Sequence, residues 1–319
     1  MNFVEKLLLL FFILFLTFIL FLTALHFPIQ ENSSIVKTIQ IPIGTNATNI
    51  KSILEQENII TKNPFIFNLY VKIFNMEGKL RYGEYIFSPS MNLIQILDKL
   101  AKGDVVRHKI TIPEGFTYKQ IAELLHNKEI IDINEFIDLV KNKEKSWEGY
   151  LFPDTYEVPK HYGSEKMLDA FLTNFNRMIE KHQIRELAEQ IDYSLNDVII
   201  LASIIEKEAK SFEEKKLVSS VFHNRLNIDM KLQSCATIYY ILGNTAKKLN
   251  DSDLKIDSPF NTYLHKGLPP GPICNPGLDS IKAALEPADE EYLYFVLGKD
   301  GEHLFSKDYS EHLKNKNNK

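Results

Sequence analysis

Ile39-Gln40-Ile41-Pro42-Ile43-Gly44 opens one stretch of this chain, and Ile110-Thr111-Ile112-Pro113-Glu114-Gly115 opens another 71 residues further on. The two match without a gap as far as Ile66 and Ile137, with 11 of 28 positions identical, more than chance matching supplies. Each copy begins as a short alternating strand. Pro and Gly then force a turn. A helix follows, with Ile50, Ile53 and Leu54 on one face in the first copy and Ile121, Leu124 and Leu125 in the second. Between the copies, Gly83 to Phe87 reads as a further strand and Leu93 to Leu100 as a helix that ends at Gly103. Short strands interspersed with helices predict an α+β fold.

Toward the amino end, Leu7 to Leu25 is a 19-residue run interrupted only by Thr17, Thr23 and Ala24. As a helix it spans about 28 Å, close to the roughly 30 Å hydrocarbon layer of a bilayer. A cleaved signal peptide would have an apolar core of about 7–15 residues and a small-x-small cleavage site. This run is longer, and Thr23-Ala24-Leu25 is a poor site, so an uncleaved transmembrane anchor is expected. Lys6 favours a cytoplasmic amino terminus. No second spanning run follows, which places the rest of the chain outside the cytoplasm, periplasmic or extracytoplasmic, on a single-pass inner-membrane protein.

The remaining composition narrows the classes. Across 319 residues there are 37 Lys+Arg against 42 Asp+Glu, a net charge of −5, so nothing draws the chain to nucleic acid. Two cysteines exclude a disulfide scaffold and a Cys-rich zinc module. Export would permit a Cys235–Cys274 disulfide, but the sequence does not bring the two together. There is no His-Glu-x-x-His, no Gly-x-Ser-x-Gly, and no Walker or Rossmann glycine pattern. No cofactor and no metal are expected.

Strand, helix, helix, strand is also the build of a LysM module, which binds N-acetylhexosamine chains, and the first copy with its returning strand resembles one. A small spacer that binds nothing has the same pattern.

Chemistry concentrates in the carboxyl half. Ser194 and Asp197 form a capping-box pattern, so a helix starts near Leu195. It runs through Val198-Ile199-Ile200-Leu201-Ala202-Ser203-Ile204-Ile205-Glu206-Lys207-Glu208 and is apolar all round, the mark of a buried helix. A second start signal at Ser211 stops it near Lys210. Glu206 extends the apolar face of Ala202 and Ile199 and lies at the negative end of the helix dipole. Both effects favour a neutral acid, which glycosidic cleavage requires. An ordinary Glu paired with Lys207 or Lys210 fits the same residues. Glu208, over Ile204 and Leu201, is its nearest competitor. Gly267 to Gly277 holds seven Gly and Pro, a rigid loop. Just before it, Asn261 and Tyr263 supply an amide for sugar hydroxyls and a ring for a sugar face. A structural crossover explains the loop equally well. Trp147 to Tyr156 reads as an aromatic site or as core strand plus turn.

Together these stretches resemble the MltG/YceG family of membrane-anchored endolytic murein transglycosylases. The residues that carry the resemblance are Glu148 to Tyr156, Ala202 to Glu208, Val221 to Leu226, Leu232-Gln233, Ser258 to Tyr263, Gly267 to Ile273, and Tyr292 to Val296. Their order and spacing match over about residues 36–312. The resemblance implies cleavage of the β-1,4 bond between N-acetylmuramic acid and N-acetylglucosamine. It implies one catalytic Glu, falling on Glu206, with the muramyl C6 hydroxyl as internal nucleophile and a 1,6-anhydromuramyl end as product. Glu148, Gln233, Asn261 and Tyr263 become the expected substrate-binding residues. Peptidoglycan strands, the inner membrane and glycan-strand synthases become the expected partners. One departure stands out: the family usually reads Ser/Thr-Asp-Pro-Thr after Leu232-Gln233, and this chain reads Ser234-Cys235-Ala236-Thr237.

The expected division is a stub and anchor over 1–30, a LysM-like part over 31–108, a second repeat over 109–146, a catalytic domain over 147–312 and a disordered tail over 313–319. Two rivals remain open: a cell-wall-binding scaffold without catalysis, and a muramidase-type hydrolase using water and a second carboxylate such as Glu208 or Asp154.

Overall fold

The computed structural model describes residues 3–61, 64–141, 146–243, 248–299 and 301–317; the side chains of 20–22, 24 and 64 lie outside the description. Among the described residues the fold is mixed α+β, with thirteen α-helices and three two-stranded sheets. The chain divides into two compact units, Met1–His108 with Glu157–His161, and Lys109–Tyr156 with Tyr162–Lys319.

The first unit contains α1 (Phe3–His26), β1 (Lys37–Ile41), α2 (Ala47–Gln56), α3 (Pro64–Ile73), β2 (Gly83–Phe87) and α4 (Leu93–Lys102). β1 and β2 pair antiparallel, with Ile39 opposite Tyr85. Alternation sends Ile39 and Ile41 inward to meet Ile50 and Leu54 of α2, Phe67 of α3 and Leu97 of α4. Asn92 and Gln95 form a capping box that starts α4. Gly103, at φ 70°, ends it in the left-handed conformation that other residues resist. In α1 the apolar side chains from Phe3 to Phe18 are exposed. Among the described residues no helix is long and apolar enough to cross a membrane. The anchor expected at Leu7–Leu25 includes 20–22 and 24, whose side chains lie outside the description.

The second unit contains α5 (Tyr118–Asn127), α6 (Ile133–Val140), α7 (Ser164–Lys181), α8 (Ile184–Gln190), α9 (Leu195–Glu208), α10 (Phe212–Asn227), α11 (Cys235–Ile241), α12 (Leu278–Leu285) and α13 (Tyr309–Asn317). β3 (His108–Thr111) pairs with β4 (Thr155–Val158), and the division into units falls within these strands. β5 (Tyr294–Leu297) pairs antiparallel with β6 (His303–Ser306). Every residue of α9 from Val198 to Ile205 is buried, as its all-round apolar surface requires. α8, α10, α11 and α12 pack around it.

The repeat is visible element by element. Asn46 caps α2 and Thr117 caps α5, 71 residues apart; Gly44 and Gly115 take φ of 78° and 74°. The copies diverge at Phe65 and Phe136. Phe136 is fully buried, whereas Phe65 is 69% exposed and Phe67 fills the core instead.

One expectation is corrected, and one question the sequence left open is answered. Residues 313–317 do not form a disordered tail but continue α13, where Tyr309 and His312 stack on Tyr294 and Asn315 bonds to Ser306. Cys235 and Cys274 are not paired: both thiols are free, and Cys274 is buried against the Ser203 carbonyl.

Candidate active site

The site is built around the carboxyl end of α9. Ser194 and Asp197 close the capping box that starts the helix. At 3.6 residues per turn, Glu206 and Glu208 point to opposite faces about 200° apart. They therefore enter two different environments.

On the first face, three donors converge on Glu206 Oε2. Ser280 Oγ donates at 2.5 Å, the Gly277 N–H at 3.1 Å and Lys215 Nζ at 3.2 Å. The Lys215 side chain is 3% exposed and that of Glu206 is 9% exposed, so this is an almost dry ion pair. Glu114 lies beside it, its carboxyl pushed up by burial and by the Glu206 charge. A Cβ on Gly277 would collide with the Glu114 carboxylate, so the glycine permits the close approach. Neither Lys207 nor Lys210 pairs with Glu206: Lys207 reaches the Gly115 carbonyl instead, at 3.4 Å.

On the second face, Ser234 Oγ donates to Glu208 Oε1 at 2.5 Å. Burial raises the Glu208 carboxyl above the usual range, offset in part by that hydroxyl and by the charges of His303 and Arg225. As the last residue of α9, Glu208 also meets the negative end of the dipole, which favours its neutral form. Arg225 is buried, and its guanidinium donates to the Leu232 carbonyl at 2.6 Å and the Leu293 carbonyl at 2.7 Å. That grip holds the segment carrying Gln233 and Ser234 over Glu208. Gln233 is exposed in the left-handed conformation at φ 51°, and its N–H donates to the Thr262 carbonyl. Cys235 Sγ lies 3.0 Å from the Tyr263 hydroxyl. Glu208, Gln233, Ser234, Cys235 and Tyr263 thus form one cluster.

The other expected sugar contacts lie inside the protein. Asn261 is fully buried: its amide donates to the Leu254 and Ile256 carbonyls and accepts from the Tyr263 N–H. Both amide hydrogens and one lone pair hold the loop that presents Tyr263, and the side chain is out of reach of a sugar in solution. Glu148 is 1% exposed and accepts from the Tyr118 N–H and the Asn275 side-chain amide. Asn275 in turn accepts from the Leu151 N–H, tying the Trp147 stretch to the Pro-Gly loop. Gly149, at φ 87°, lies where a Cβ would strike Pro272 and Ile199. Among the described residues no His, Cys, Asp or Glu cluster could hold a metal.

A partly exposed carboxyl of raised pKa, set among a ring, an amide and hydroxyls, is the equipment of a glycan-cleaving acid. Comparison with known proteins agrees with that class. Residues 39–318 match the YceG-like family, and the chain belongs to it. It is 34% identical over 314 residues to an endolytic murein transglycosylase of Bacillus subtilis, covering 91% of this chain and 86% of that protein. It is 30% identical to an endolytic murein transglycosylase of Streptococcus pneumoniae, spanning 90% of this chain and 59% of the longer relative. A crystal structure of a yceG-like protein from Listeria monocytogenes superposes with a TM-score of 0.62 at 35% identity, over 88% of this chain and 99% of that one.

Proposed function

We propose that this protein is an endolytic murein transglycosylase that cleaves the β-1,4 bond between N-acetylmuramic acid and N-acetylglucosamine. The observation that carries this reading is the Glu208 cluster, on a chain whose relatives bear that activity. Glu208, in its neutral form, protonates the glycosidic oxygen as the bond to the muramyl C1 breaks. As carboxylate it then takes the proton of the muramyl C6 hydroxyl, whose oxygen closes onto C1. The proton ledger balances on one residue, and no water enters. Tyr263 offers a ring to a sugar face, and Gln233 an exposed amide.

Glu206, the acid expected from the sequence, has a different role in this reading. Its Oε2 is engaged by Lys215, Ser280 and Gly277, a buried clamp that holds α9, α10 and α12 together. The exposed apolar surface of α1 supports a role for Leu7–Leu25 as an inner-membrane anchor with a cytoplasmic amino terminus, and the antiparallel β1–β2 pair flanking α2 and α3 supports a LysM-like sugar contact. Action beside glycan-strand synthases, releasing new strands, completes the proposal.

Digestion of purified murein tests it. The expected muropeptides carry an anhydro end, one water lighter than a reducing end. Reducing ends would make the protein a hydrolase, and no products at all would make it a scaffold.

A further inference from the structure

A cleft with a volume of about 640 Å³ lies within the second unit, away from the Glu208 cluster. Its walls are the start of α5, the end of α6, the carboxyl end of α11 and the Ser258–Phe260 segment. Tyr118, Tyr240 and Phe260 provide the apolar surface, and the rings of Tyr240 and Phe260 lie 5.2 Å apart. Among the described lining residues, Lys119 and Lys141 stand exposed at its edge against one carboxylate, Glu123. Neither lysine forms an ion pair among the described residues; the Lys119 ammonium lies 6.0 Å from the centre of the Tyr118 ring.

The cleft is joined to the catalytic cluster through two stretches. α11 begins beside Ser234 and Tyr263 and ends at the cleft; Tyr240 lies about 8 Å along it at 1.5 Å per residue. Phe260 is followed directly by Asn261, Thr262 and Tyr263. Along the α11 axis the two places are thus separated by about the length of two or three extended residues, within the span of a short side arm.

Resting on the transglycosylase reading, we infer that this cleft takes the acidic peptide arm carried by the muramyl sugars. Two unpaired lysines against one glutamate favour a ligand bearing carboxylates. The three rings give its aliphatic parts a dry surface, as small-ligand sites commonly do. A strand stripped of its peptide keeps only the lactyl carboxylate, held close against the sugar ring and too short to reach the two lysines.

The test compares peptide-bearing glycan strands with strands stripped of peptide by an amidase. Substrates are digested by the wild type and by the Lys119→Gln/Lys141→Gln variant, with a thermal melt to establish that the variant is folded. The wild type should show a KM about fivefold lower for the peptide-bearing strands, the size expected of two part-exposed charge pairs, and the variant a ratio near one. A wild type without preference, or a variant that keeps the full preference, overturns the inference. A wild type that digests neither substrate overturns the murein reading itself.

Discussion

Glu148 shows how one enclosed carboxyl makes the molecule respond to pH. Burial, opposed in part by the Tyr118 N–H and the Asn275 amide, pushes it to about 8. Its folded value thus stands above the ordinary carboxylate value of 4.5. The stability it contributes is complete below about pH 4.5 and is lost as pH rises through 8, on the order of a few kcal/mol. Glu148→Gln keeps an oxygen for the two donors and removes the ionisation. We expect urea melts of the wild type to lose stability from pH 5 to 8.5 while the variant stays nearly flat. Equal slopes would show that Glu148 does not govern this range. The enclosure of Glu148, expected from the sequence to face glycan, was not legible for a physical reason. The Glu148-Gly149 stretch is recognisable, but the enclosure arises from Asn275, 127 residues away.

At the scale of elements, α9 is where reading from sequence went furthest and then stopped. Its start was legible because capping is local: Ser194 and Asp197 are three residues apart. Its burial was legible because the apolar residues surround the axis. The roles of its two glutamates were not, since two residues separate opposite faces and the deciding partners, Lys215 and Ser234, come from α10 and the α11 cap. The burial of Asn261 was hidden for a similar reason: its loop folds back on Leu254 and Ile256, and no periodicity signals that. The Glu206–Lys215 pair gives this a measurable form. Breaking a buried pair leaves one charge uncompensated and costs about 3–5 kcal/mol, whereas replacing both partners is close to neutral. Glu206→Gln and Lys215→Met should each lower the denaturation midpoint strongly, and the double variant should recover most of the loss. Additive losses would argue against a structural clamp.

For the molecule as a whole, the repeat was readable because strand, Pro-Gly turn and helix recur at a fixed offset, and the described elements follow it from Gly44 and Gly115 to the caps of α2 and α5. The second copy lies in the unit that carries α9: Gly115 and Phe116 bond to Asn275, and Lys207 bonds to Gly115. The first copy belongs to the other unit with its own core. One duplicated pattern thus occurs once in each unit, and in the second it backs the Asn275 loop and the Lys207 turn of α9. What the account stands or falls on is which glutamate donates the proton. The direct measurement is release of anhydro-ended muropeptides by the Glu208→Gln variant beside the Glu206→Gln/Lys215→Met variant, with melts to establish folding. Glu208→Gln should lose at least about 100-fold in rate while staying folded, and the double variant should retain substantial activity. A fully active Glu208→Gln, or a folded double variant without activity, would contradict it.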